Sequence, residues 1–257
     1  MNFIIGVLIF CIVFLPQGLV ADPVIAQFDD CCVFDGPEGL QVGDKILNID
    51  NERVIVNGDI SLLFQLNPTG VHDITVLRDG NTLVFEDLAM THTHTAEDGS
   101  EYRHYGIHFG VVKELDFFGR IGNMWDNVVN TVRNIRLSLQ MLITGQAGLQ
   151  DMYGPVGIVS MMNDVAESSE TTLAAVMNML YFGGFIAINL AIMNLLPIPA
   201  LDGGRVVGLL ISAGYEAVTG KKIDPKYEGW IHGAGMVLLL LLMAVIMFKD
   251  IFVILMG

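Results

Sequence analysis

Residues 171–201 carry no formal charge, and near its end this apolar stretch is interrupted by Pro197 and Pro199 and stopped at Asp202. Such a run exceeds the roughly 20 residues that a helix needs to cross the hydrocarbon core of a bilayer. Each proline removes a backbone donor and turns the preceding residue away from helical geometry. Backbone that leaves the helix at membrane depth survives only where protein or a watery cavity satisfies it. The chain is therefore restricted to folds in which a membrane helix breaks beside a carboxylate. Two further stretches agree with a membrane setting. Residues 1–21 precede the first charge at Asp22, and residues 229–248 hold His232 as their one ionisable group before Lys249-Asp250. Only 16% of the residues are charged and 53% are apolar, whereas soluble domains carry about a quarter charged residues.

The charges are one-sided, 13 Lys+Arg against 28 Asp+Glu for a formal net of −15. Nucleic-acid binding needs a basic footprint and is excluded as a function class. Three cysteines build no disulfide framework, and the neighbours Cys31 and Cys32 are poorly placed to share one tetrahedral metal. Lys and Arg collect at Arg205, Lys221, Lys222 and Lys226, which marks the loop between the last two apolar stretches as cytoplasmic. The acidic region 22–116 is then extracytoplasmic. With Met-Asn in place of a basic n-region, and Leu19-Val20-Ala21 a poor cleavage site, residues 1–21 read as a retained transmembrane helix rather than a signal peptide.

Between Pro23 and Leu88 short strands alternate with turn residues. Gly43-Asp44 precedes the alternating segment Lys45-Ile-Leu-Asn-Ile-Asp50, and Asp73 to Leu77 is a second strand. Asp79-Gly80 has type I′ hairpin chemistry and joins that strand to Thr82-Leu-Val-Phe85. Residues 59–66 form a short apolar helix closed by Asn67-Pro68. This pattern, with Gly39-Leu-Gln-Val-Gly-Asp44 at its turn, resembles a PDZ domain, a fold that binds extended peptide ends by strand addition. The resemblance nominates Gly39 and Leu40 as peptide-binding. His92, His94, His104 and His108 follow in residues 91–116, where period-two spacing puts pairs on one strand face. With no cysteine among them, exposed histidines on a hairpin or loop are the expectation, in preference to a metal site.

Residues 117–145 read as an amphipathic interfacial helix. Ile121, Met124, Trp125, Val128, Val132, Ile135, Leu139 and Leu142 follow 3–4 spacing, with Arg120, Asp126, Arg133 and Arg136 elsewhere. Residues 146–170 form a connector in which Gly154-Pro-Val-Gly-Ile158 interrupts helix propensity.

The chemistry concentrates in residues 194–204, Asn-Leu-Leu-Pro-Ile-Pro-Ala-Leu-Asp-Gly-Gly. An intramembrane carboxylate is a functional candidate by default, and Gly203-Gly204 permit close backbone approach. The plainer alternative is that Asp202 caps a helix starting near Gly203. The two prolines and Asn194 favour the functional one.

This string resembles the C-terminal motif of the site-2 protease family, the intramembrane zinc metalloproteases of peptidase family M50. The resemblance extends to the PDZ-like segment, to Leu142-Ile-Thr-Gly145, to Gly154-Pro-Val-Gly-Ile158 and to Lys226-Tyr-Glu-Gly-Trp-Ile-His232. Within that family the chain resembles the bacterial regulator-of-sigma-E type. The resemblance implies that Asp202 is a zinc ligand and that Asn194 hydrogen-bonds the substrate or the transition state. The family's His-Glu-x-x-His motif, source of two zinc ligands and the general base, is absent from these 257 residues, and the first apolar stretch resembles the family's second helix. The expectation is that the family's first helix is missing from this sequence, and that the chain as given is inactive alone. His232, a lone histidine near a helix start, reads as packed or interfacial.

The fold expected is an α-helical membrane protein of about three transmembrane helices (1–21, 171–204 and 229–257) with an inserted α+β PDZ-like domain at 22–90. A cytoplasmic helix and basic loop occupy 205–228. The expected function is a zinc endopeptidase of a bacterial cytoplasmic membrane that cleaves transmembrane segments in regulated proteolysis. Its implied cofactor is Zn2+ and its partners are a transmembrane protein substrate, the lipid bilayer and a peptide end at the PDZ-like segment. The alternative is a non-catalytic PDZ-containing membrane adaptor. A solute carrier is disfavoured because no second broken segment pairs with the first.

Overall fold

The computed structural model describes residues 1–29, 39–67, 69–90, 92–95, 101–148, 152–169, 171–220 and 225–256, with the side chains of 92–95, 101–104, 225, 227, 228 and 256 outside the description. Cys31, Cys32, Lys221 and Lys222 lie outside the described residues. The chain divides into a β-rich unit, Phe14–Asn130, and a helical unit, Met1–Val13 with Thr131–Gly257.

In the β-rich unit, strands β1 (Leu19–Phe28), β2 (Lys45–Ile49), β4 (Val71–Arg78), β5 (Asn81–Ala89) and β8 (Ile107–Glu114) form one sheet in the order β5-β4-β2-β1-β8. The two-residue β3 (Glu52–Arg53) pairs with β2, and the pairings are antiparallel. Helix α2 (Asp59–Leu66) supplies Ile60, Leu63 and Phe64 to a core that includes Ile25, Leu40, Ile46, Ile49, Ile74, Val76 and Met90. At the β4–β5 turn Asp79 and Gly80 both have positive φ, 50° and 82°, the two left-handed residues a type I′ turn requires.

The Gly39-to-Asp44 turn has a structural reason. Gly43 sits at φ 97° and its N–H donates to the Ile25 carbonyl at 2.9 Å. The buried Asp44 carboxylate accepts two bonds from Arg78, Nε to Oδ1 and Nη2 to Oδ2, each 2.7 Å, and one from the Gln41 N–H at 2.8 Å. This bidentate partner holds the Arg78 guanidinium above its ordinary pKa, against an opposing effect of burial.

The first apolar stretch departs from expectation. Helix α1 spans Asn2–Phe14, 13 residues and therefore about 20 Å, short of the hydrocarbon thickness. Pro16 and Gly18 end it, and Leu19 and Val20 pair instead with Glu114 and Lys113 of β8. Among the described residues two helices are long and apolar enough to cross a membrane, Thr172–Asn194 and Gly229–Leu255. The sheet likewise outruns the expected 22–90 boundary, because β1 begins at Leu19 and β8 lies within 91–116. In that region β6 (His92–Thr95) and β7 (Glu101–His104) form a separate antiparallel hairpin with His92 opposite His104. His108 Nε2 lies 2.8 Å from Asp29 Oδ1.

The helical unit contains α1, the C-terminal half of α3 (Phe117–Thr144), α4 (Pro155–Glu167), α5 (Thr172–Asn194), α6 (Asp202–Thr219) and α7 (Pro225–Met256). α1 meets α5 through paired glycines. A Cβ on Gly6 would stand 2.6 Å from Ile188 Cγ1, and one on Gly184 2.7 Å from Phe10 Cδ1. Small residues permit this approach, as between membrane helices in general. Phe10 and Ile188 are fully buried there, and the Phe10 ring stacks on Tyr181 at 5.6 Å.

The expected connector 146–170 is largely helix. Pro155 occupies the first helical turn of α4, where its missing N–H costs nothing. The free N–H groups of Gly154 and Gly157 donate to Asp250 Oδ2 on α7 at 2.8 and 2.9 Å. Lys249 pairs with Asp250 at 3.3 Å and also donates to the Met152 carbonyl. The motif thus starts a helix on a buried carboxylate.

Candidate functional site

The site is the seam between α5 and α6. α5 ends at Asn194 because Pro197 cannot continue the ladder, and the chain then folds tightly. The Leu195 N–H donates to the Ile192 carbonyl at 3.0 Å, Leu196 to Met193 at 3.1 Å, Ile198 to Leu196 at 2.7 Å and Leu201 to Ile198 at 3.1 Å. Between Pro199 and Leu201, Ala200 adopts φ 81°, a left-handed conformation that costs a non-glycine residue about 1–3 kcal/mol. α6 opens immediately afterwards at Asp202.

The glycine pair is obligatory. A Cβ on Gly203 would lie 2.2 Å from the Leu195 carbonyl oxygen and 2.4 Å from that of Leu196. One on Gly204 would lie 2.2 Å from the Ile198 oxygen. The turn is therefore folded back onto the first residues of α6 with no room for a side chain.

α7 braces the turn from one side. Pro199 rests on Gly235, where a Cβ would stand 2.6 Å from Pro199 Cβ. The Ala200 N–H donates to His232 Nδ1 at 3.1 Å. Ala200, Arg205, Gly229, His232, Gly233 and Met236 line a cavity of 440 Å³ at this place. A second, mainly apolar cavity of 380 Å³ has Phe185, Asn189 and Met193 of α5 on one wall, with Ile135, Leu139 and Leu142 of α3 among its other lining residues.

Asn194 and Asp202 therefore mark the two ends of one turn, Asn194 half-buried and Asp202 exposed. The helix-cap alternative for Asp202 does not hold. Leu201 is the N-cap, no side chain caps the helix, and Asp202 is the first helical residue. Among the described residues the Asp202 carboxylate has no hydrogen-bond or ion-pair partner, so its lone pairs are available to a cation. A single carboxylate is one ligand of a metal centre. Among the described residues no group of three His, Cys, Asp or Glu side chains converges, so these residues alone do not fit a zinc site.

Gly39 and Leu40 belong to the β-rich unit. Leu40 is 0% exposed and the Gly39 carbonyl accepts from Arg78 Nη2 at 2.7 Å. An open strand edge exists elsewhere. Among the described residues β8 ends the sheet. Tyr105, just before β8, stacks on Phe64 of α2 at 4.3 Å, and Phe109 lies 6.4 Å from Phe64. The sequence does not single out this edge, because its residues run on from the histidine-rich stretch. The sequence likewise presents His232 as packed or interfacial, although the Lys226-to-His232 string carries the family resemblance.

The sequence model of Peptidase family M50 matches residues 1–242. The chain is 32% identical over 256 residues to the Regulator of sigma-W protease RasP of Bacillus subtilis, covering 98% of this chain and 56% of that protein. It is 33% identical over 260 residues to the Zinc metalloprotease RasP of Geobacillus kaustophilus, with 97% and 56% covered. Identity to the Probable protease eep of Enterococcus faecalis is 30% over 253 residues, with 97% and 56% covered. The chain thus spans about half the length of these relatives. Matching segments, an unpartnered carboxylate at the broken helix and two membrane-length helices agree in one conclusion: the chain belongs to peptidase family M50, the site-2 proteases.

Proposed function

We propose that this chain is the Asp202-bearing part of an intramembrane zinc metalloendopeptidase that cleaves transmembrane segments of membrane proteins in regulated proteolysis. The observation that carries the reading is the α5–α6 turn, which follows a membrane-length helix and holds a carboxylate without a partner among the described residues. Zinc, when bound, supplies Lewis-acid polarisation and an acidified water. Asp202 would be one of its ligands, with the others drawn from outside the described residues.

The residues of this chain do the positioning. Gly203 and Gly204 let the turn close against α6 so that Asp202 is presented outward. Asn194 donates its amide where charge develops on the scissile carbonyl. The basic loop at Arg205 and Lys226 faces the cytoplasm and the β-rich unit lies on the opposite side. That unit acts as a PDZ-like module, and the open edge of β8 beside α2 admits an extended peptide end as an added strand.

The test is cleavage of a transmembrane reporter by the protein expressed from its gene with the in-frame upstream codons included. Asp202→Asn abolishes cleavage through loss of a ligand, and Asn194→Ala lowers it by about 100-fold, the scale of one lost transition-state donor. Unchanged cleavage in Asp202→Asn contradicts the proposal. A second reading is a non-catalytic adaptor that captures peptide ends at the β8 edge. An upstream stop codon with no partner gene nearby, together with peptide binding by the β-rich unit, would support it.

A further inference from the structure

We infer that His232 is a positioning residue: its Nδ1 holds the left-handed Ala200 peptide and thereby fixes the direction in which Asp202 is presented. The inference deepens the protease reading and rests on it for the role of Asp202. Three observations converge. Ala200 is the one residue with positive φ in the described part of the helical unit that is not glycine, at 81°. Strain of this kind persists only when surrounding structure over-determines it. The bond from the Ala200 N–H to His232 Nδ1, 3.1 Å long, comes from a helix 32 residues away in sequence. Gly235, one turn further along α7, admits Pro199 to a place no other residue type leaves open.

The next peptide bonds lead directly into Asp202. The turn on its other side is clamped by the carbonyls of Leu195 and Ile198 over Gly203 and Gly204. Ala200 is thus the remaining hinge between a fixed α5 end and a fixed α6 start, and His232 locks it. To accept the Ala200 proton, Nδ1 must itself be unprotonated, so the ring proton resides on Nε2. The 440 Å³ cavity lined by His232 and Arg205 leaves the imidazole reachable from outside.

The experiment uses the full chain in lipid nanodiscs, with 15N-histidine, 15N-alanine and 13Cγ-aspartate labels. In the wild type, Nδ1 is unprotonated and Nε2 protonated. In His232→Leu, Ala200 amide exchange rises at least about tenfold, the scale of one lost hydrogen bond. The Asp202 13Cγ signal moves, while that of Asp250, anchored by Gly154 and Gly157, stays in place as the control for global folding. His232→Asn keeps an acceptor near the Nδ1 position and returns exchange to within about twofold of wild type. In His232→Gly, added imidazole restores the Asp202 signal.

A proton on Nδ1 in the wild type overturns the inference. So do unchanged Ala200 exchange in His232→Leu, joint movement of the Asp202 and Asp250 signals, a His232→Asn variant that behaves like His232→Leu, or failure of imidazole to restore the signal. Absence of cleavage in the upstream-extended protein would sink the protease reading while leaving every one of these signals as expected.

Discussion

At Gly203 the absence of a single carbon decides whether the turn exists. Two carbonyl oxygens, those of Leu195 and Leu196, lie 2.2 and 2.4 Å from where a Cβ would be, and both belong to the backbone that closes α5. Gly203→Ala therefore forces the turn off α6 and costs at least about 1–3 kcal/mol, the range for overpacking. Gly208 lies in the same helix with nothing within 4 Å of its Cβ position. Gly208→Ala is expected to gain up to about 1 kcal/mol from helix propensity. Thermal unfolding in detergent of the two variants measures the difference, and equal midpoints would remove the close-packed turn from the account. The Asp44–Arg78 pair obeys a different control. Because the Arg78 pKa is raised, its contribution is complete below the ordinary guanidinium range and fades only as pH climbs through the raised value. Arg78 therefore adds no pH dependence to stability across neutral pH.

Among elements, the instructive cases are those where local pattern and long-range partner disagreed. The sequence of α2 and the Asp79-Gly80 hairpin carried their structure in local chemistry, and both formed where the pattern placed them. Residues 19–21 looked like the end of an apolar helix, but a strand formed because β8, nearly a hundred residues later, offered a ladder. Gly154-Pro155-Val-Gly157 looked like a helix breaker. It is a helix start, since the acceptor for its free N–H groups is Asp250, invisible to any local window. Asp202 and Asn194 were legible because both lie in one contiguous string. His232 was not, because its meaning depends on a backbone N–H in another element. Asp250→Ala should release α4 from α7 and speed amide exchange across Pro155–Glu167 at least about tenfold, as for one lost buried hydrogen bond. Unaltered exchange there would mean that the carboxylate does not hold α4.

For the molecule as a whole, the exposed surface of α5 and α7 carries the membrane argument. Leu238, Leu241 and Leu255 are 68%, 60% and 79% exposed, a pattern that water penalises and lipid accepts. Leu241→Lys places a charge in the middle of the Gly229–Leu255 span and raises its insertion cost by about 3 kcal/mol. Fractionation should find this variant shifted out of the membrane fraction, whereas a soluble protein would become more soluble without changing compartment. The central claim concerns Asp202, and metal analysis addresses it most directly. Zinc is measured in protein purified after expression with the in-frame upstream codons, as wild type and as Asp202→Asn. The account predicts about one zinc per chain in the wild type and almost none in the variant; equal zinc in both, or none in the wild type, would contradict it.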